Sequence, residues 1–244
     1  MKPFLLLQSR PEDAASDNEY AGFLAASGLS SSQLERFRVE AAPLPEINLD
    51  RYSGIIVGGG PYNTSDPEET KSDTQKRVEA DFARLLPVLI ARDFPFFGAC
   101  YGIGTLGKLL GGTISRTYAE PVAPVLISLT TDGRNDPLLA DIPDTFEAIV
   151  GHKEACESLP PGAVHLASSP MCPMQMFRVK KNLYVTQFHP ELDMNGLRVR
   201  VGIYKNAGYF PPEDADKVIS GALSADLSYA PLVLRAFAQK YKQV

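Results

Sequence analysis

Three short stretches of the 244-residue chain hold residues able to do nucleophilic chemistry. The first is Gly98-Ala99-Cys100-Tyr101-Gly102, which closes a short apolar run beginning at Phe94 and precedes a helix-like pattern. Gly-x-Cys-x-Gly at a strand-to-helix junction is the thiol form of a nucleophile elbow. Its flanks call for glycine, because the tight turn leaves no room for a Cβ. The elbow would hold the Cys100 thiol at the positive end of the next helix, a position expected to lower its pKa toward the reactive thiolate. The second stretch is His189-Pro190-Glu191. Glu191 can accept a hydrogen bond from His189 Nδ1 and fix its tautomer, and Pro190 restricts the backbone between them. Cys100, His189 and Glu191 thus supply a nucleophile, a base and an orienting group. The third stretch is Gly58-Gly59-Gly60-Pro61. An amide of Gly59 or Gly60, with that of Tyr101, would form an oxyanion hole.

These groups need strand ends to bring them together. Phe4 to Gln8, Tyr52 to Val57 and Phe94 to Phe97 are short apolar runs that suit buried strands, and Arg36 to Glu40 alternates like a strand near an edge. Helical spacing runs from Glu19 to Gly28, from Gln75 to Ala91 and from Ile103 to Leu110, with glycine stops at Gly28 and Gly111-Gly112. Pro87 inside the second of these is expected to kink or end it. The alternation predicts an α/β fold with a mostly parallel sheet and helices on both faces. In such sheets, sites form beyond the carboxyl ends of the strands. From Thr113 onward the texture changes to short strands over 122–129, 145–150, 163–167, 174–180 and 183–188, with Lys180-Lys181-Asn182 as a hairpin turn. This reads as an antiparallel extension of the sheet. Helices are expected over 197–206, 213–223 and 231–241. No stretch resembles an interdomain linker, so one domain spanning 1–244 is expected, with a helical C-terminal extension from about 192 to 244.

Composition narrows the partners. A hydrophobic share of 44% supports a sizeable core. The formal net charge of −5 argues against nucleic acid or an anionic membrane as partner. Phe4-Leu5-Leu6-Leu7 is too short for a signal peptide or a span. Three cysteines fit a reducing cytoplasm better than a disulfide framework. Cys156 and Cys172 lack histidine or acidic neighbours at metal-ligand spacing, so no metal is expected. No cofactor-binding loop is evident either.

In combination these motifs resemble the class I glutamine amidotransferases. The resemblance rests on Gly98 to Gly102, Gln187-Phe188-His189-Pro190-Glu191 and Gly58 to Pro61, and it covers about residues 1–191. Gly151-His152-Lys153-Glu154, Ser158 to Gly162 and Ala167-Ser168-Ser169 look like the family's Ser-His-x-Asp, Leu-Pro and Ala-x-Ser block. The chain is most similar to stand-alone members related to the amidotransferase part of GMP synthetase. The resemblance implies a flavodoxin-like sheet and a Cys100, His189, Glu191 triad. Cys100 would attack the side-chain amide of glutamine, His189 would protonate the departing ammonia, and water would hydrolyse the γ-glutamyl thioester. It also implies substrate contacts from Gly151, His152 and Lys153.

Three positions depart from the family. Gly104 stands where the family has a Gln that helps hold the amino-acid end of glutamine, and Gly151 and Glu154 replace the usual Ser and Asp. Three functions therefore compete. One is a cysteine amidohydrolase acting on glutamine or a related amide. Another is a γ-glutamyl peptidase, with Gly104 opening room for a larger substrate. The third is a non-catalytic subunit that binds a partner. The sequence lacks a Ser-Gly-Gly-x-Asp-Ser loop and a Gly-x-x-x-x-Gly-Lys-Ser/Thr loop, so an ammonia acceptor would be a separate synthase chain. A thiolate Cys100 working with a protonated His189 predicts a bell-shaped pH–rate profile.

Overall fold

The fold is described from a computed structural model over residues 2–243. It opens with β1 (Phe4–Gln8), α1 (Asp13–Ser27), β2 (Leu34–Arg38), β3 (Gly54–Val57), α2 (Asp73–Arg92), β4 (Phe96–Ala99) and α3 (Tyr101–Leu109). Next come β5 (Thr113–Ser115), β6 (Glu120–Leu129), α4 (Thr131–Asn135), β7 (Thr145–His152), β8 (Ala155–Ser158), β9 (Val164–Ser168), β10 (Met176–Val179) and β11 (Leu183–Thr186). Three helices follow: α5 (Met194–Tyr204), α6 (Ala215–Gly221) and α7 (Ala230–Tyr241).

The main sheet has nine strands in the order β2-β1-β3-β4-β11-β10-β9-β6-β7. The first five are mutually parallel and the remaining pairings are antiparallel. The expected α/β class and antiparallel extension are both present, and the parallel half has the flavodoxin-like order. Strand periodicity splits the core. Phe4 and Leu6 join one apolar cluster, whereas Leu5 and Leu7 join another on the opposite face. Helices α1 and α7 cover the first face, and Phe237 of α7 stacks against Phe4, Phe97 and Tyr184. Helices α2 and α3 cover the second. A third cluster joins Leu197 and Val201 of α5 to Ile149, Phe210 and Ala222. Among the described residues, no helix is long and apolar enough to cross a membrane.

Two helices differ from expectation. Helix α1 begins at Asp13 rather than Glu19. Its first turn buries only the small Ala15 and Ser16, so it carries little of the apolar period that marks a helix. Helix α2 runs unbroken through Pro87 for 20 residues. Pro87 and Ala83, whose carbonyl loses its partner, both lie on the exposed face. Water can satisfy that carbonyl, so the proline is tolerated. The hairpin at 180–182 and the glycine stop at Gly28 form as expected, with Gly28 at φ 70° donating to the Leu24 carbonyl.

Candidate active site

Strand register brings the three sequence motifs to one edge. Val57 of β3 lies beside Gly98 of β4, and Ala99 of β4 lies beside Thr186 of β11. The segments that leave these strand ends, Gly58 to Gly60, Cys100 and Gln187 to His189, therefore emerge side by side. Cys100 is the residue before α3, at φ 51° and ψ −89°. A non-glycine residue with positive φ carries backbone strain of about 1–3 kcal/mol that its surroundings must hold. Here the Cys100 amide donates to the Thr186 carbonyl at 2.7 Å, tying the elbow to β11. The glycine requirement is one-sided. A Cβ on Gly98 would come within 2.9 Å of Gly102 Cα, whereas one on Gly102 would meet nothing closer than 3.6 Å.

His189 Nδ1 is 2.9 Å from Glu191 Oε1, and both side chains are buried. Arg200 of α5 completes the group, with Nη2 donating to Glu191 Oε1 at 2.7 Å and Nη1 lying 3.1 Å from His189 Nδ1. A ring nitrogen cannot donate to the carboxylate and accept from the guanidinium at once. The closer, charged acceptor favours a proton on Nδ1, which leaves Nε2 free as a base. Behind this group Arg10 donates to buried Glu19 at 2.8 Å, and Glu19 Oε1 is 3.7 Å from Arg200. Two arginines and two carboxylates thus balance beneath the elbow. Sequence reasoning missed Arg10, Glu19 and Arg200. They lie on three distant segments, and only the position of Arg10 just past the end of β1 hinted at a site.

These surroundings fix the protonation states. Burial alone would raise the Glu191 pKa, but His189 and Arg200 outweigh it and hold the carboxyl well below the usual range. Burial, aided by Arg200 and Arg10, lowers the His189 pKa below its ordinary 6.5 against the opposing pull of Glu191. Burial pushes the Cys100 thiol up to about 12, despite Arg10 and Arg200. The expected thiolate is therefore corrected: desolvation at the elbow disfavours the anion more than the nearby positive charges favour it, although part of the Cys100 surface stays exposed. The resting pair is a neutral thiol and a neutral imidazole.

Cys100 faces two small cavities. The first, of about 40 Å³, is also lined by Arg10, His189 and Arg200 and by an apolar wall that includes Val122, Ile149 and Val201. The second, of about 20 Å³, is lined by the remaining expected contact residues, Tyr101, Gly104, Gly151, His152 and Lys153. Gly60 lines both. Gly59 lies against Arg10 and His189, where a Cβ would come within 2.6 Å of Arg10 Nη2. Ser9 Oγ donates to the Gly59 carbonyl at 3.1 Å, and in a trans peptide the Gly60 N–H points the opposite way. Tyr101 is the first residue of α3, so its N–H has no acceptor within the helix.

Gly104 opens no room. A Cβ there would lie 2.9 Å from Glu154 Oε1 and 3.2 Å from Thr64 Oγ1. The Glu154 carboxylate fills the space, accepting from the Thr64 and Ser65 amides at 2.7 Å each and from Thr64 Oγ1 at 3.1 Å. Two of the departures from the family pattern, Gly104 and Glu154, are thus one exchange: a longer acid at 154 occupies the volume vacated at 104. Gly104→Gln should therefore cost about 1–3 kcal/mol by overpacking. Adding Glu154→Asp should recover part of that loss in denaturant unfolding, and strict additivity of the two changes would contradict the exchange.

His152 does not present its ring to the cavity chemistry. Its Nε2 bonds Glu120 Oε2 at 2.8 Å and its Nδ1 contacts the Glu154 carbonyl at 3.0 Å. Cys172 lies close to both Glu120 and His152, a grouping that the sequence did not suggest. Donors around a tetrahedral ion at about 2.0–2.3 Å stand roughly 3.3 Å apart or more. The 2.8 Å His152–Glu120 contact is a hydrogen bond instead, and Gln175 and Ser169 also donate to Glu120. The cluster anchors the end of β7 and the turn into β8, which carry Gly151 to Glu154.

A parallel α/β sheet with a cysteine held at a strained strand-to-helix elbow, beside a buried His–Glu pair, defines a thiol-elbow α/β class. Residues 17–200 match the family described as glutamine amidotransferase class-I, and the chain belongs to that family. Among curated relatives, one subunit of the GMP synthase [glutamine-hydrolyzing] of Methanocaldococcus jannaschii is 31% identical over 152 residues, covering 62% of this chain and 71% of the relative. GMP synthase [glutamine-hydrolyzing] of Borrelia garinii subsp. bavariensis is 28% identical over 154 residues, 62% of this chain. The matched part is 26% of that relative, so the chain corresponds to about a quarter of its length. A crystal structure of a glutamine amidotransferase from Thermotoga maritima superposes with a TM-score of 0.79 at 18% identity, covering 100% of both chains. One from Methylobacillus flagellatus gives 0.73 at 20% identity, covering 100% of this chain and 97% of that one.

Proposed function

We propose that the chain is a cysteine amidohydrolase that releases ammonia from glutamine or a closely related γ-glutamyl primary amide. The observation that carries this reading is the His189–Glu191 contact of 2.9 Å beside a cavity shared by His189 and Cys100. Glu191 holds the proton on Nδ1, so Nε2 takes the thiol proton as Sγ attacks the amide carbon. The Gly60 and Tyr101 amides, with Gly59 shaping the turn, stabilise the developing oxyanion. The imidazolium then protonates the departing nitrogen, and ammonia leaves from a γ-glutamyl thioester. Water, activated by the same imidazole, completes the hydrolysis to glutamate.

One feature favours a primary amide over a γ-glutamyl peptide: the room beside Gly104 is taken by Glu154. The intact Cys100, His189 and Glu191 set disfavours a purely regulatory role. The Methanocaldococcus relative is named as one of the subunits of its enzyme, which supports a second polypeptide as ammonia acceptor.

The test is glutamate and ammonia release from glutamine, compared with γ-glutamyl peptides, alongside labelling of Cys100 by an electrophilic glutamine analogue located by mass spectrometry. Faster release from the peptides would sink the primary-amide reading, and neither release nor labelling would sink the hydrolase.

The pH dependence follows from the neutral pair. His189 must be unprotonated to act as a base, and its pKa is depressed below 6.5. The value of kcat/KM is expected to fall only below about pH 6.5 and to stay level across the neutral range, with any alkaline change near the thiol's pKa of about 12. The bell expected for a thiolate–imidazolium pair is thus moved out of the neutral range. The sign for stability is the same: the unfolded chain protonates its histidine first, so stability should fall as pH drops through about 6.5. Initial rates from pH 5 to 9 check the first claim, and urea midpoints over the same range check the second.

A further inference from the structure

The two cavities at Cys100 have four lining residues in common: Gly60, Cys100, Gly151 and Tyr209. Two of these are glycines and one is the thiol. The fourth, Tyr209, is therefore the side chain that separates the cavities. An amide laid across Cys100 needs both sides at once, the acyl chain on one and the leaving amine on the other. The acyl side, about 20 Å³, has room for water but not for a γ-glutamyl group. Tyr209 is the bulky side chain common to both sides that a bound substrate would displace.

Tyr209 lies on the segment between α5 and α6, beyond the family-matched residues 17–200. Its neighbour Gly208 has φ 79°, and a Cβ there would lie 3.9 Å from Lys153 Nζ. Lys153 Nζ sits 4.6 Å from the centroid of the Tyr209 ring, a cation–π contact. Among the described residues no carboxylate pairs with Lys153, and nearby Asp66 is bound by Arg116 at 2.7 Å. Burial and the Arg116 charge leave this ammonium under-compensated, although Asp66 opposes them. It lines the Cys100 cavity on the acyl side.

We propose that Lys153 Nζ is the docking group for the α-carboxylate of the substrate, and that Tyr209 is a plug occupying that subsite until the carboxylate displaces it. The proposal rests on the γ-glutamyl reading above. A carboxylate offers the ammonium a full charge where the ring offers only its quadrupole, so the exchange favours substrate. Glu154 cannot dock the α-carboxylate, because it carries the same charge, and three of its acceptor sites are already filled by Thr64 and Ser65. The free site is thus narrowed around a part-exposed Cys100, and γ-glutamyl compounds with a free α-carboxylate open it.

Two readouts on the full chain test this. The first is Cys100 alkylation by iodoacetamide at fixed pH, followed by mass spectrometry, with Cys100→Ser as the blank. Tyr209→Ala and Lys153→Met should each speed it at least tenfold, because each removes one half of the latch and raises the open fraction. The second is kcat/KM for glutamine relative to 4-aminobutanamide, which lacks the carboxylate. Lys153→Met should lower that ratio about tenfold or more by losing a charge-assisted contact. Tyr209→Ala should preserve the ratio while lowering KM for glutamine. Unchanged alkylation in Tyr209→Ala overturns the plug, and an unchanged ratio in Lys153→Met overturns the docking group. A wild-type protein that releases no glutamate counts against the hydrolase reading alone, because the alkylation readout still decides the plug.

Discussion

Cys100→Ala is expected to lower glutamate release by about 10⁶-fold, to the level left by binding and oxyanion contacts, as loss of a nucleophile does elsewhere. The substitution should leave the fold intact. Alanine meets the same strained backbone at φ 51°, and the 2.7 Å bond from its amide to Thr186 is retained because it involves no side-chain atom. Thermal unfolding should therefore show a folded protein, while rates under saturating glutamine collapse. Substantial residual turnover with a normal melting curve would mean that another group attacks the amide. Cys156 and Cys172 are poor substitutes, since both are fully buried with their thiols raised to about 11 and about 12 by burial.

Glu191→Gln should cost about 10³–10⁴-fold in kcat with a smaller effect on KM. The size comes from the tautomer. A glutamine amide can turn its NH₂ toward His189 Nδ1, and Arg200 Nη1 already lies 3.1 Å from that atom. Nδ1 then accepts, Nε2 carries the proton, and the ring can no longer take the thiol proton. The variant also leaves Arg200 without the carboxylate it meets at 2.7 Å, with Glu19 at 3.7 Å the nearest replacement. Removing one partner of a buried pair costs about 3–5 kcal/mol of stability. Glu191→Asp separates the two effects, because it keeps the charge and the acceptor. Recovery of much of the lost rate by Asp supports the tautomer role, whereas equal losses in both variants with normal stability would argue against it.

The inner parallel strands were legible because each is a short apolar run closed by glycines or turn residues, as β3 is by Gly58 to Gly60 and β4 by the elbow, whereas β2 at the edge showed only alternation. The candidate chemistry was legible for a related reason. Cys100 and the His189–Glu191 pair each sit just beyond such a run, so local sequence announces both the residue and its place. What escaped depends on contacts between distant segments. The pairing of Glu19 with Arg10 and Arg200, or of Glu120 with His152, leaves no periodic trace. Strands β5 and β8 are three and four residues long and partly exposed, too short for alternation to register. The meaning of Gly104 was hidden for the same reason, since the atom that fills its space belongs to a residue fifty positions later.

The seat of Phe237 has a consequence for how the chain comes off the ribosome. Its ring lies 5.4 Å from that of Phe97, about 140 residues earlier, and 6.0 Å from that of Phe4. At roughly 5–20 residues per second, the sheet face carrying Phe4 and Phe97 waits about 7–28 s for its cover. During that interval α1 covers part of that face, but the strand that presents Cys100 still lacks the α7 ring that packs on Phe97. The elbow is thus written early and clamped late, and its strained backbone need be held only once synthesis has reached the last helix.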